Sequence, residues 1–438
     1  MGNARKAALT ALEKCRRAKA WSDAVLGGVM DAERLDGRDR ALAAALCYGV
    51  MQNRIFLDHC IAKYSSMKLH KLEPKVLDIL RLSAYQLLFM DKIPSSAAVY
   101  EAVNLCKRLG YARAGGFVNA VLRKIAADEE IFHWSAGSAR EQLSVRYSHP
   151  LWLVDYLCEA LGVAETERFL RCSNAPVPIT AQVNSFRTDT DALMAELTNS
   201  GVKAEAHAYL PQCVTILSAG DLKKLPSFQR GEFYVQDAAA KMAVMAAEPK
   251  KSDRILDVCA APGGKSFAAA ILSRGAAITS CDLHENKLKR IRESAQRLGL
   301  EDIETVAADG RRNREEWNDA FDVVIADVPC SGLGVIRKKP DIRYKDPAEF
   351  ENLPAIQLDI LRNVSRYVRS GGTLLYSTCT IRREENEALV TRFLAEHNDF
   401  ETVDFVAADG SASENGMLQL WPQRNDTDGF FIAKLRRK

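Results

Sequence analysis

Two cysteines carry the strongest chemical signal in the sequence. Cys330 stands in Asp327-Val328-Pro329-Cys330-Ser331-Gly332-Leu333-Gly334, and Cys379 stands in Tyr376-Ser377-Thr378-Cys379-Thr380-Ile381. Each follows a short apolar β-like run, Phe321–Ala326 and Thr373–Ser377, so each thiol is expected where a strand ends. A single cysteine is ordinarily a small buried hydrophobe. Two of them ending neighbouring strands, one close to an acid and two glycines, point instead to a reacting centre. A thiol beside positive charge or a helix end loses its proton readily and becomes a nucleophile. Spacing alone leaves open which of the two attacks, and Asp327 is a candidate third catalytic group.

A second signal lies upstream. The run Arg254–Cys259 leads into Cys259, Ala260, Ala261, Pro262, Gly263, Gly264 and Lys265. Paired glycines let the backbone turn sharply and approach a ligand, and the helix that follows presents free N–H groups to it. Alone this loop is ambiguous, because it is nearly the phosphate-binding GxxxxGK[ST] pattern with Cys259 in place of the first glycine. Asp282 ends the next run, at a position suited to ribose hydroxyls or to capping the helix after it. Asp309, before Gly310, either accepts from an adenine amino group or is a turn aspartate.

The elements that must position these groups alternate from about residue 237 onward. Strands are expected at Arg254–Cys259, Ala276–Cys281, Ile303–Ala308, Phe321–Ala326 and Thr373–Ser377, and helices at Lys265–Ser273, Glu285–Leu298, Pro354–Val368 and Arg383–Glu396. This alternation predicts an α/β domain, a doubly wound Rossmann-like sheet over 236–438, with Gly429–Leu435 as a further strand. Such sheets bind ligands beyond their strands' C-terminal ends. Residues 1–135 instead show apolar spacing of helical period in Ala41–Met51, Val76–Met90, Ala97–Leu109 and the stripe from Phe117 to Ile125, which predicts an all-α bundle. Periodicity fades over 131–150. A small α+β segment is expected over 145–235, with helices at Leu151–Leu161 and near Glu165–Cys172 and β-like runs at Ile179–Phe186, Val214–Leu217 and Gly231–Val235.

Bulk properties narrow the class. The chain has 438 residues, 47% of them hydrophobic, and a net charge of only +3, so a nucleic-acid surface has to be argued from local charge. Eleven cysteines without a CxxC pair argue against disulfides and structural zinc, and no metal is expected. The N-terminus lacks a signal-peptide core, and no apolar run reaches membrane-spanning length. A cytoplasmic monomer is the expectation.

One reaction would use all of these parts. Carbon 5 of cytosine is a poor nucleophile until a thiolate adds at carbon 6 and makes it an enamine carbon able to accept a methyl group. The base must be unstacked for this, which favours single-stranded or flipped-out RNA. At these loops the sequence resembles the RNA 5-methylcytosine methyltransferases, in DVCAAPGGKS (257–266), DVPCSGLGVIRKKPD (327–341) and YSTCT (376–380) followed by EEN (384–386). AVYEAVNLCKRLG (98–110) and GGFVNAVLRKI (115–125) are similar to the antitermination factor NusB, and DTDGFFIAKL (426–435) fits the family's last strand. The combination resembles the Sun/Fmu (RsmB) branch, bacterial 16S rRNA cytosine-5 methyltransferases.

That resemblance implies Cys379 as nucleophile, Cys330 as the thiol that resolves the covalent product, and S-adenosyl-L-methionine as cofactor. It assigns Cys259–Lys265 to the cofactor loop, Asp282 to the ribose, Asp309 to the adenine side, and Asp327 to the space between cofactor and base. DNA cytosine methyltransferases use their Pro-Cys thiol to attack. Val328, Lys339 and Asn425 depart from the family's frequent Ala, His and His without removing a chemical group. Arg337, Lys338, Lys339, Arg343, Lys345, Arg382 and Arg383, with Tyr344 among them, are the expected groove for small-subunit rRNA. Two alternatives remain, a P-loop-like nucleotide hydrolase and an inactive RNA-binding scaffold of the same fold.

Overall fold

The computed structural model describes residues 4–18, 22–134, 136–218 and 220–438. The chain divides into two compact units, Met1–Ala175 with Lys338–Lys345, and Pro176–Arg337 with Asp346–Lys438.

Helices form the first unit: α1 (Ala4–Ala18), α2 (Ser22–Ala32), α3 (Gly37–Gln52), α4 (Arg54–Tyr64), α5 (Pro74–Phe89), α6 (Ser95–Arg108), α7 (Gly115–Ala126), α8 (Ala139–Tyr147), α9 (Leu151–Leu161) and α10 (Val163–Asn174). The apolar stripes expected from sequence lie on α3, α5, α6 and α7, and they meet in one core where Leu46, Leu57, Ile61, Leu80 and Leu122 are fully buried. Helix α8 falls where periodicity fades. Its start is set by a capping box, Ser138 Oγ accepting from the Glu141 N–H (3.3 Å) and Glu141 Oε2 from the Ser138 N–H (2.7 Å). Helices α9 and α10, read from sequence with the middle segment, cluster with this helical unit.

The segment Lys338–Lys345 corrects part of the expected RNA groove. Arg343 is fully buried inside the helical unit. Its Nη1 donates to the carbonyls of Gln52 (3.2 Å) and Ser148 (3.2 Å) and to Asn174 Oδ1 (3.0 Å). Burial brings the guanidinium down to about 10, so it stays charged at neutral pH. Tyr344 is half-buried, with the Arg54 guanidinium 3.6 Å from its ring centre. Neither side chain offers itself to a phosphate. Truncation by Arg343→Ala orphans three acceptors, so a loss on the order of 3 kcal/mol in urea unfolding is expected. An unchanged midpoint would show that these hydrogen bonds hold nothing.

The second unit opens with a small antiparallel sheet of order β2-β3-β1-β4, built from β1 (Ile179–Val183), β2 (Lys203–Ala206), β3 (Cys213–Ser218) and β4 (Phe233–Val235). Between β1 and β2 runs α11 (Thr190–Asn199), which buries Leu193 and Leu197. A four-residue helix, α12 (Pro226–Gln229), precedes β4.

The large sheet has order β10-β12-β9-β8-β5-β6-β7, with β11 paired to β12. Its strands are β5 (Arg254–Asp257), β6 (Ala277–Asp282), β7 (Ile303–Ala307), β8 (Phe321–Asp327), β9 (Val368–Thr378), β10 (Phe400–Thr402), β11 (Met417–Leu420) and β12 (Phe430–Arg437). Strands β5 to β9 are parallel, and β12 runs antiparallel to β9. The doubly wound expectation holds, with the strand order reversing between β5 and β8. Alternation along β8 feeds two cores. Val323 and Ile325 join residues of α13 (Ala238–Ala246), α14 (Gly264–Ser273) and α15 (Glu285–Leu298), while Val324 and Ala326 join those of α16 (Leu353–Val364) and α17 (Glu387–Glu396). The helix expected to reach Val368 stops at Val364, because the chain from Val368 is already strand β9.

Candidate active site

The reversal point gathers the expected residues. Asp257 closes β5, and the loop after it is tied to both neighbouring strands, Val258 N–H donating to the Ile325 carbonyl (2.9 Å) and Ala260 N–H to that of Cys281 (2.7 Å). Gly263 has φ +107°, and a Cβ there would collide with the Phe267 ring. Only glycine therefore makes this turn into α14. Burial raises the Cys259 thiol's pKa, so this cysteine is a neutral loop residue at physiological pH.

Asp257 is fully buried, and burial pushes its carboxyl up to about 7 despite a hydrogen bond from Ser266 Oγ (2.7 Å). Its folded-state value lies above the unfolded one, so its contribution to stability is complete below about pH 4 and is lost as pH rises through 7. Asp257→Asn is expected to gain on the wild type by about 1.4 kcal/mol for each pH unit climbed between about pH 4 and 7, with the gain levelling off above that. Parallel stability profiles for the two proteins would place the carboxyl at its ordinary value.

Asp282 ends β6, nearly buried. Its Oδ1 accepts from the His284 N–H (3.0 Å) and lies 3.3 Å from Lys287 Nζ. This bond turns the chain before α15, whose N-cap is His284 with no side-chain cap, so Asp282 is not the helix cap and keeps carboxylate capacity for further donors. Asp309 is held in a turn, Oδ1 accepting from the Arg311 N–H (3.0 Å) and Oδ2 from Arg311 Nη2 (2.8 Å), and this partner keeps its carboxyl below the usual range.

Lys265 points along the sheet's end to Asp327, with Nζ 2.7 Å from Oδ2. Only 8% of Lys265 is exposed. Burial would depress its pKa, but the Asp327 charge and hydrogen bond reverse the sign and raise it. Asp327 Oδ1 also accepts from Ser377 Oγ (2.8 Å) at the end of β9. Beside this pair the two thiols meet, Cys330 Sγ and Cys379 Sγ being 3.3 Å apart and both half-buried. The neighbouring Cys379 thiol, then burial, hold Cys330 well above the ordinary thiol range. Gly334 lets the loops close, its N–H donating to the Cys379 carbonyl (3.0 Å) while its carbonyl accepts from Gly429 (2.9 Å). A Cβ at Gly334 would strike the Gly429 carbonyl.

Sequence reading did not single out the side chains that hold this loop pair. Glu385 is fully buried, and Gln357, Asn386 and Tyr376 surround the same loops. The only signal for Glu385 and Asn386 was the EEN tripeptide. Of the expected basic groove, Arg337 is largely enclosed, donating through Nη2 to the Pro176 carbonyl (2.6 Å), and Arg382 donates to that of Phe350 (3.3 Å). Asn425 ties its turn to the segment at 409–411, with Nδ2 donating to Asp409 Oδ2 (2.8 Å) and Ser411 Oγ (3.0 Å). Among the described residues, no group of three or more His, Cys, Asp or Glu side chains is arranged to hold a metal ion, and no helix is long and apolar enough to cross a membrane.

A doubly wound sheet with a glycine loop, strand-end acids and a thiol pair at its reversal point, preceded by a helical unit, defines a methyltransferase-type protein. Residues 244–436 match the 16S rRNA methyltransferase RsmB/F family, residues 2–127 the NusB family, and residues 149–223 the ferredoxin-like domain of RsmF/B-like methyltransferases. The chain is 37% identical to the probable ribosomal RNA small subunit methyltransferase B of Bacillus subtilis (strain 168), over 99% of this chain and 98% of that protein. It is 32% identical to the Synechocystis protein of the same description, over 100% of both. The crystal structure of PH0851 superposes with TM-score 0.84 at 25% identity, over 99% of this chain and 98% of that one. NSun6 from Pyrococcus horikoshii with SFG shares the fold, with TM-score 0.58 at 22% identity over 65% of this chain and 97% of that one. The chain belongs to the RsmB/F family of 16S rRNA methyltransferases.

Proposed function

We propose that this protein transfers a methyl group from S-adenosyl-L-methionine to carbon 5 of a cytosine in 16S rRNA, in the cytoplasm, with Cys379 as covalent nucleophile. The observation that carries this reading is the 3.3 Å approach of Cys330 Sγ and Cys379 Sγ beside the Lys265–Asp327 pair. A nucleotide hydrolase would need Lys265 for phosphates, and that ammonium is already committed to Asp327. The helical unit, read as 1–135, and the small α+β segment, read as 145–235, would bring RNA to the catalytic region 236–438.

The chain's residues fit the cofactor. Gly263 turns the chain into α14 at a φ of +107°, α14 presents its N-terminal N–H groups beyond the strand end, and Asp282 keeps acceptor capacity at the next strand end. Residues Cys259–Lys265, Asp282 and Asp309 would hold it. When bound, the cofactor supplies an electrophilic methyl group. Cys379 adds through its sulfur to carbon 6 of the flipped-out base. Asp327 hydrogen-bonds the pyrimidine edge and stabilises the adduct. After methylation a base takes the carbon 5 proton, the C–H electron pair re-forms the double bond between carbons 5 and 6, and the Cys379 thiolate is expelled from carbon 6 as Cys330 assists release.

The test uses labelled S-adenosylmethionine and unmethylated 16S rRNA, with the label mapped to nucleotide and atom. Label on carbon 5 of one cytosine supports the reading. Label on another atom, or none on RNA despite measurable cofactor binding, would overturn it.

A further inference from the structure

Each site cysteine is flanked by two residues, and all four flanking residues are tied to three side chains, two of them consecutive in sequence. Glu385 Oε2 accepts from the Ser331 N–H (2.9 Å) and from Gln357 Nε2 (2.9 Å), and Gln357 Nε2 also donates to the Pro329 carbonyl (2.8 Å). Pro329 and Ser331 bracket Cys330. Asn386 Oδ1 accepts from Thr378 Oγ1 (2.6 Å), and its Nδ2 donates to the Thr380 carbonyl (3.0 Å). Thr378 and Thr380 bracket Cys379. The two loops also share a direct hydrogen bond between Ser331 Oγ and Thr380 Oγ1 (2.6 Å).

We propose that Glu385 and Asn386 are a positioning dyad that sets the separation of the two thiols, Glu385 by gripping the Cys330 loop and Asn386 by gripping the strand end that carries Cys379. Their roles as nucleophile-side and release-side anchors rest on the covalent mechanism proposed above. One peptide bond joins the two residues, so the grips cannot drift apart independently. Tyr376, two residues before Thr378 on β9, donates its hydroxyl to the Glu385 carbonyl (2.6 Å) and fixes that peptide against the sheet. Asn386 is anchored from the far side by Gln419 Oε1, which accepts from Nδ2 at 2.8 Å. A buried carboxylate is costly to keep, and Glu385 is fully enclosed with Arg382 Nη1 3.4 Å from its other oxygen. Cores seldom retain such a charge merely as filler. Here its two-oxygen acceptor capacity binds the Cys330 loop, α16 and the segment after Cys379 at one point.

The grips predict different kinetic signatures. Glu385→Gln replaces one acceptor oxygen with a donor amide, which loosens the Cys330 loop and leaves Asn386 on Cys379. Adduct formation continues while release slows, so a denaturation-stable protein–RNA complex accumulates and kcat falls about tenfold or more with little change in KM. Asn386→Leu loosens Cys379 itself, so kcat falls without accumulation. Loss of folded protein alone would lower adduct and product together and keep their ratio constant. Gln357→Met, which frees the Pro329 carbonyl and removes one donor from the Glu385 carboxylate while leaving its charge and its bond to Ser331 in place, repeats the Glu385→Gln signature in milder form and serves if that variant does not fold.

The deciding measurement needs no RNA. An azodicarboxamide oxidises the thiol pair of the free full-length protein: two S–H bonds break, one S–S bond forms, and both hydrogens pass to the azo group. Its rate reports how often the sulfurs meet. Wild type should close this bond rapidly, and Glu385→Gln and Asn386→Leu about tenfold more slowly. Equal rates in all three proteins, each with native cofactor binding, would overturn the dyad. Slowed oxidation in both variants, with no adduct or carbon 5 label in any protein, would uphold the dyad and overturn the covalent mechanism instead.

Discussion

Cys379→Ala is expected to lower methyl transfer on the order of 10⁴-fold or more while leaving cofactor affinity within about twofold of wild type. The reason is local. The cofactor-type loop lies after β5, and Cys379 lies after β9, with β8 between them in the sheet. Removing one sulfur at the end of β9 leaves Gly263, Asp282 and the Lys265–Asp327 pair undisturbed. The companion Cys330→Ala separates the roles of the thiols. It should still form the covalent complex and fail to release it, so protein–RNA adduct builds up as product falls. The two variants together therefore assign the attacking group. Full activity in Cys379→Ala, or adduct accumulation in that variant instead of Cys330→Ala, would exchange the assignments.

Asp327→Asn is expected to cost on the order of 10²- to 10³-fold in kcat. An amide of the same shape still accepts from Ser377 Oγ, but it removes the charge that holds the Lys265 ammonium in a nearly enclosed site. Asp327 is what raises Lys265 against burial. Without it, burial dominates and the lysine gives up its proton at lower pH. The basic limb of the pH–rate profile should therefore move down in Asp327→Asn, a displacement that simple misfolding would not produce. A profile of unchanged shape at reduced height would remove Lys265 and Asp327 from the chemistry and leave them a structural ion pair.

The parts of this site legible in the sequence are those where one local pattern decides the outcome. Strands β5, β6 and β8 are short apolar runs that end in Asp, and the turn after β5 needs glycine, so both were readable. The edge strands β2 and β10 were not. Lys203-Ala204-Glu205-Ala206 and Phe400–Thr402 are too short and polar to show alternation, and pairing with β3 and β12 makes them strands. Helix α8 lacks a clear apolar face, although Ser138-x-x-Glu141 marked its start. Arg343 shows the opposite limit. It sits between Ile342 and Tyr344 with Asp341 and Lys345 just beyond, so it reads as part of a hydrated basic run, and only the carbonyls of Gln52 and Ser148, far away in the chain, disclose that it is swallowed. Glu385 and Asn386 were visible as letters, but what they grip is settled by tertiary contacts.

The eight residues Lys338–Lys345 carry a topological consequence. The chain leaves the helical unit after Ala175, returns to it at Lys338 and leaves again after Lys345. A protease cutting once after Ala175 would therefore not free the helical piece, which keeps a stretch of its neighbour's chain threaded through it by Arg343. A gene fragment beginning at Pro176 would encode a catalytic region whose Arg343 has lost every acceptor it was folded against. The helical unit is thus no detachable handle. As folded in this chain, that module includes an octapeptide encoded in the middle of the other.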